Sequence, residues 1–479
     1  MDILGYIIYT LLSLHIITRE EENMKLSKFE REMKDILYFI REYGIQHIDF
    51  NVNKMKFDDK ERNDFIYQVH KGFNFAQRNA VRLLQKVLLE RKTLKDILKQ
   101  ARVIKNKEEA TRITKEIDIN KYQEMLIRKS VDAIAWQLFS CDLSVMKRLY
   151  GGQELIDITD SNLESELKVV EMYAKKEPET FVLISDLTTF IQVGDLVIMN
   201  PSKGVGIVEL KEGKVNEKVF DLVERCIKQE VCLVHELSQE NEKFIEHFKR
   251  TLNQLNKNHS VEKLIKTGSG KDLYTGCNTY LSKDEIVLSS YEDRINKLLL
   301  HSKKKGHAID VIEECLLIGV YDIKRFPSKV FEFWKEACGI GMPEYDLRSS
   351  VYDPYTMPLF ILPISSIDIL DIIMGRTVIK MTLDIDKWLK TFENDGYSYR
   401  WMSKKETARL AIPHGKKLLF QLEGKGVEII SESGSERTYL GGGIFARMFT
   451  CFNNPSAIRY YLEETINAGR KLDEQCESV

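Results

Sequence analysis

The run GDLVIMNPSKGVGIVELK, residues 194–211, carries two carboxylates and one ammonium at a spacing that could do phosphodiester chemistry. Thirteen residues separate Asp195 from Glu209, and Lys211 stands two beyond Glu209. Two β-rich stretches, Phe190–Met199 and Val205–Leu210, are joined by Asn-Pro-Ser-Lys-Gly, the composition of a tight connection. Side chains i and i+2 of a strand share a face, so Glu209 and Lys211 project together while Leu210 points into the opposite layer. Pairing of the two strands as neighbours brings Asp195 to them. Carboxylate oxygens suit a hard divalent cation, Mg2+ or Mn2+, which acidifies a bound water, and a nearby ammonium offsets negative charge building on a phosphoryl group. The competing reading is a hairpin whose charges face water. Against it, Val205–Val208 is apolar and a strand there has little other reason to end on a carboxylate. Asp186, at the end of a strand predicted over Phe181–Ser185, is an alternative to Asp195.

Stepping outward, the periodicity predicts a helix over Leu163–Ala174, the three strands, and then helices over Glu217–Glu230 and Glu240–Asn256. An acid, a gap and then ExK, set in a helix-strand-strand-strand-helix order, resembles the PD-(D/E)xK nuclease superfamily over about residues 125–325. Gly194 stands where the superfamily's name has proline. The resemblance implies a restriction-endonuclease-like α/β core that hydrolyses phosphodiester bonds with Mg2+ or Mn2+. Asp195 and Glu209 are then metal ligands and Lys211 the catalytic cation. A third acid is expected from the first helix, where Glu164, Glu166 and Glu171 are candidates and Glu171 is taken as the ligand. Lys249, Arg250 and Gln254, on the helix after the lysine, are the expected substrate contacts. Nucleic acid, DNA foremost, is the implied substrate, and bacterial defence or restriction the implied setting. A homodimer that pairs two sites, and a partner protein of the same defence system, are the expected associations. The alternative is an inactive nuclease-like protein that binds nucleic acid or serves as a scaffold.

A chain of 479 residues needs more than one core, and an α/β multidomain organisation is expected. All nine prolines lie at or beyond Pro178, and residues 1–150 hold only three glycines, which marks a helical N-terminal region over residues 1–118. Apolar residues there recur at helical spacing, as in Phe29, Met33, Ile36, Leu37 and Ile40. The nuclease-like core is placed at residues 119–325, with a strand at Cys315–Tyr321 returning to its sheet. Clustered prolines after Phe326 set off a C-terminal α+β domain at 326–479 for recognition or regulation. Lys257–Leu281, rich in Gly, Ser, Thr and Asn, reads as an exposed connection.

A net charge of −2, from 71 basic and 73 acidic residues, leaves any attraction to nucleic acid to local patches. One such patch lies between Lys71 and Lys115, where thirteen Lys and Arg meet four acids. It fits either a helix along a phosphate backbone or a solvated helix face. The eight cysteines form no CxxC or zinc-spaced cluster and read as reduced cytoplasmic thiols. Glycine-containing stretches at Ser202–Gly206 and Gly268–Lys271 do not fit a P-loop. The apolar segment Ile3–Thr18 is shorter than the ~20 residues that span a bilayer. It leaves open a buried helix, an extension ahead of a start at Met24, and an anchor; no membrane association is expected.

Overall fold

The computed structural model describes residues 26–48, 58–150, 158, 163–210, 214–227, 237, 240–272, 278–281, 289–354, 356–414, 419–431, 434 and 437–462. The Ile3–Thr18 segment therefore lies outside the described residues. No helix among those described is long and apolar enough to cross a membrane. Chain contacts divide the protein into two compact units, residues 31–283 and residues 284–479 with 1–30.

Helices dominate the first half of residues 31–283. Helix α1, Lys28–Arg41, buries Met33, Ile36, Leu37 and Ile40 at the spacing read from the sequence, and a short helix α2 follows at Tyr43–Gln46. Helix α3, Asp59–Val103, starts at a capping box in which Asp58 and Glu61 each accept the other's backbone N–H at 2.9 Å. Its 45 residues make a rod of about 68 Å. Helix α4, Lys107–Leu138, runs back against it from an Asn106 cap. Helix α5, Leu143–Leu149, and helix α6, Leu163–Lys176, lead into the sheet.

That sheet is an antiparallel meander of β1 (Phe181–Ile184), β2 (Leu196–Asn200) and β3 (Gly204–Val208). The first strand and its neighbour β2 supply the core with Phe181, Leu183, Ile184, Leu196 and Val197, all buried. Asn200 shapes the β2–β3 turn by accepting from the N–H groups of Ser202 and Lys203, both at 2.9 Å. On the outer side of β1, the buried Gln77 of α3 donates to the Val182 carbonyl and accepts from the Ile184 N–H, each at 3.0 Å. A side-chain amide there takes the place of a further strand. Helices α7 (Lys214–Ile227) and α8 (Glu242–Thr267) follow, packed on each other through Val219, Leu222, Val223, Phe244 and Phe248.

The α8 helix runs eleven residues past the expected Asn256 end, so Lys257–Thr267 is not a connection. Asn258, Val261 and Leu264 continue the buried stripe of Phe244, Phe248 and Thr251, and Gly268 closes the helix in a left-handed cap at φ 76°. Among the described residues, strands β4 (Ser269–Lys271) and β5 (Asn278–Tyr280) pair only with each other.

The second unit holds helix α9 (Glu292–Lys305) against a sheet in which β6 (His307–Ile312), β7 (Leu316–Asp322), β9 (Thr377–Leu383) and the short β8 (Tyr345–Asp346) lie in the order β6-β7-β9-β8. The strand expected to return to the nuclease-like sheet is β7. It pairs instead with β6 and β9, register Ile318↔Met381, because its fully apolar run is covered on both edges there. A second antiparallel sheet contains β10 (Tyr397–Trp401), β11 (Val427–Ser431) and β12 (Arg437–Tyr439).

The protein is thus a mixed helix-and-sheet chain with a helical N-terminal region. Neither expected domain boundary coincides with the division at 283/284. The 118/119 position falls within α4, whose buried stripe Ile113, Ile117, Asn120 continues without a break. Pairing of β7 with β9 spans 325/326.

Candidate functional site

Asp195 and Glu209 flank the β2–β3 ladder. The ladder ends at the pair Leu196↔Val208, so Asp195, one residue before β2, and Glu209, one residue after β3, stand at the same end of it. Backbone bonds fasten the arrangement: the Asp195 N–H donates to the Val208 carbonyl at 2.9 Å, and the Ser185 N–H donates to the Asp195 carbonyl at 2.9 Å. The Asp195 carboxylate accepts the Leu210 N–H at 2.5 Å. Glu209 accepts at Oε1 from the Asn258 side chain of α8 at 3.1 Å. Lys211, the third member of the motif, lies outside the described residues.

Gly194 explains the missing proline. Its φ is +66°, which a proline ring cannot adopt, and a Cβ there would stand 2.5 Å from Ile207 Cγ2 and 3.0 Å from the Val208 carbonyl oxygen. Only glycine lets the chain turn so sharply into β2. For the same reason the strand starts at Leu196 rather than at the expected Phe190. Residues before the turn are held out of the ladder: Thr188 by Arg128, which donates to its carbonyl from Nη2 at 2.6 Å, and Thr189 by Asp132, which accepts its N–H at 2.7 Å.

The first helix sends Glu166, not Glu171, toward the site. Glu171 is half-exposed and pairs with Arg78 at 3.3 Å, on another side of α6. Glu166 is 5% exposed, in line with buried Leu163 and Val170. Its carboxyl is pushed up from 4.5 to about 8, first by burial and then by the charges of Asp186 and Asp195. Asp186, in the turn Ser185–Leu187, also acts on the buried Arg128, whose charge partly balances it. Both alternatives, Asp186 and Asp195, thus act on the Glu166 carboxyl.

This crowding has a consequence for stability in the absence of metal. Below pH 4.5 Glu166 is protonated in folded and unfolded chains alike. Between 4.5 and about 8 the unfolded chain releases a proton that the folded one keeps, so stability falls as pH rises, by up to about 1.4 kcal/mol per pH unit. Urea unfolding in EDTA at pH 5, 6.5 and 8 is expected to show that loss, and Glu166→Gln to reduce it. Parallel profiles for the two proteins would mean that Glu166 carries no displaced proton.

The donors gathered here are hard oxygens. Glu166 Oε2 and Ser185 Oγ are buried and have no hydrogen-bond partner among the described residues. Surplus negative charge with unsatisfied oxygens fits a small divalent cation. Among the described residues no three or more His, Cys, Asp or Glu side chains are drawn into a ready-made metal cluster. Mg2+ keeps several of its waters and commonly takes only one or two carboxylates, so the set present fits it.

Lys249, Arg250 and Gln254 line one shallow depression of about 480 Å3 along α8, with Glu246, Asn253 and Lys257. Arg250, Gln254 and Asn258 are four residues apart in turn and so form one stripe on the helix. The Glu209 contact sits at one end of that stripe. Arg250 is braced by His247 at 3.1 Å, and His247 by Asn216 of α7 at 2.5 Å. Asn258 was hidden from sequence reasoning by the early helix end. Extending the Arg250–Gln254 spacing by one turn is the signal that finds it. Away from this site, Asp310 is clamped by Arg294 at 2.6 and 2.7 Å, and His307 stacks on Phe326.

Comparison with protein-family models, curated proteins and solved structures finds no match to the chain.

Proposed function

We propose that the chain is a Mg2+- or Mn2+-dependent nuclease with a restriction-endonuclease-like core, cutting phosphodiester bonds in nucleic acid and foremost in DNA. The observation that carries this reading is the placing of Asp195 and Glu209 at one end of the β2–β3 ladder, beside a buried Glu166 whose proton is held by burial and by the charges of Asp186 and Asp195. Asp195 and Glu209 would hold the cation, with the protonated Glu166 beside them, while Glu171 pairs with Arg78 instead. A bound Mg2+ supplies a water acidic enough to attack phosphorus near neutral pH. Asn258 fixes the rotamer of Glu209 from behind. Lys211 offsets charge on the phosphoryl oxygens, and Arg250 and Gln254 receive the flanking phosphate along α8. Control of such a cutting activity by so large a chain favours a role in defence or restriction, where a partner protein or a second copy gates the site.

The test is direct. Purified chain incubated with supercoiled plasmid, linear duplex and structured RNA is expected to cut with Mg2+ or Mn2+ and to be silent in EDTA. Binding without cleavage in either metal would replace this reading with the scaffold one.

A further inference from the structure

The outer half of the α3–α4 hairpin packs only on itself: Leu94, Leu98 and Ala101 of α3 close against Ile113 and Ile117 of α4, with Ala110 beside them. On this arm Lys92, Lys95, Lys99 and Arg102 recur at spacings of three and four, all exposed. Such spacing places four cations in one line over about 15 Å of helix. One acid, Asp96, borders the line, four residues after Lys92 and three before Lys99. Lys99 shares its charge with Asp96 at 3.3 Å, while Lys92, Lys95 and Arg102 make no ion pair among the described residues.

We propose that this stripe is a docking surface for the phosphate backbone of a nucleic-acid duplex, distinct from the candidate cleavage site. A straight row of cations on a rigid rod matches a rigid ridge of phosphates, which is read by charge and not by base. Single strands are held by stacking on aromatic rings, and no Phe, Tyr, Trp or His occurs from Ala76 to Lys121. A lipid surface fits less well: Ile97 and Ile104 lie roughly 160° or more around the helix from the centre of the cation row and Val103 alone stands beside it, less apolar surface than membrane-bound helices turn toward the bilayer.

Binding by the arm requires no cleavage, so it is measured in EDTA with 30-base-pair DNA and RNA duplexes of mixed sequence over 0.05–0.3 M salt. Replacing Lys92, Lys95, Lys99 and Arg102 together by Gln keeps helix-forming side chains at exposed positions. The slope of log K against log salt is expected to shrink by about 3, and affinity near 0.1 M salt to fall on the order of 100-fold or more. Ile97→Gln with Ile104→Gln, on the opposite side, is the control and is expected to bind as wild type. Unchanged affinity and slope in the fourfold variant would overturn the proposal. So would an affinity for anionic phosphatidylserine vesicles that the fourfold variant alone loses while its duplex binding stays intact. Absence of cleavage in the metal assays leaves this measurement untouched, so the two ideas fail separately.

Discussion

Glu209→Gln and Asp195→Asn are each expected to lower Mg2+-dependent cleavage by on the order of 1,000-fold or more. Both substitutions keep size and shape and remove one negative charge. A Gln oxygen at 209 can still accept the Asn258 amide, and an Asn oxygen at 195 can still accept the Leu210 N–H, so the local hydrogen bonds survive. Unfolding free energy is therefore expected to change by no more than about 1 kcal/mol. Single-turnover cleavage with matched denaturation curves separates the two quantities. Variants that cut at the wild-type rate would remove Asp195 and Glu209 from the chemistry. Lys211→Ala provides a contrast: cleavage is expected to drop while Mg2+ still raises the melting temperature, because a cation that assists turnover is not a ligand.

The second large effect is on folding. Asp132 is fully buried; it takes the Thr189 N–H at 2.7 Å and hydroxyl at 2.5 Å, and faces the buried Lys129 ammonium at 3.1 Å. Asp132→Ala removes the counterion of a buried charge and leaves two Thr189 donors unmet, at an expected cost of about 3–5 kcal/mol. Joint replacement, Lys129→Met with Asp132→Leu, is expected to restore much of that stability, since a buried pair exchanged for apolar groups is often neutral. Chemical denaturation of the three proteins tests it; equal losses in the single and double variants would mean that the Thr189 contacts matter and the ion pair does not. The segment Asp132 tethers runs directly into Gly194 and Asp195, so residual cleavage in the single variant is expected to fall with it.

Much of this site is legible from residue order alone. Alternation, turn composition and the apolar run before Glu209 are local signals, and they suffice to put Asp195 and Glu209 beside two neighbouring strands, one residue before β2 and one after β3. The choice between Glu166 and Glu171 turns on one helical step: Leu163, Glu166 and Val170 share a face, and Glu171 is about 100° off it. Polar composition after Lys257 hides a helix that persists because Val261 and Leu264 keep its buried stripe. Strand partnership is the least local property of all. Nothing in the run Leu316–Asp322 says whether it joins β3 or β9, because a strand buried on both faces has no alternation to betray its neighbours.

Gln77 settles a question of geometry for any assembly. By occupying the Val182 carbonyl and the Ile184 N–H, it seals the β1 margin against hydrogen bonding from a foreign strand. Two copies that joined their sheets along β1 would have to break that clasp. A second copy is therefore barred from extending the meander at β1, and any pairing that spares the clasp leaves that end of the sheet finite.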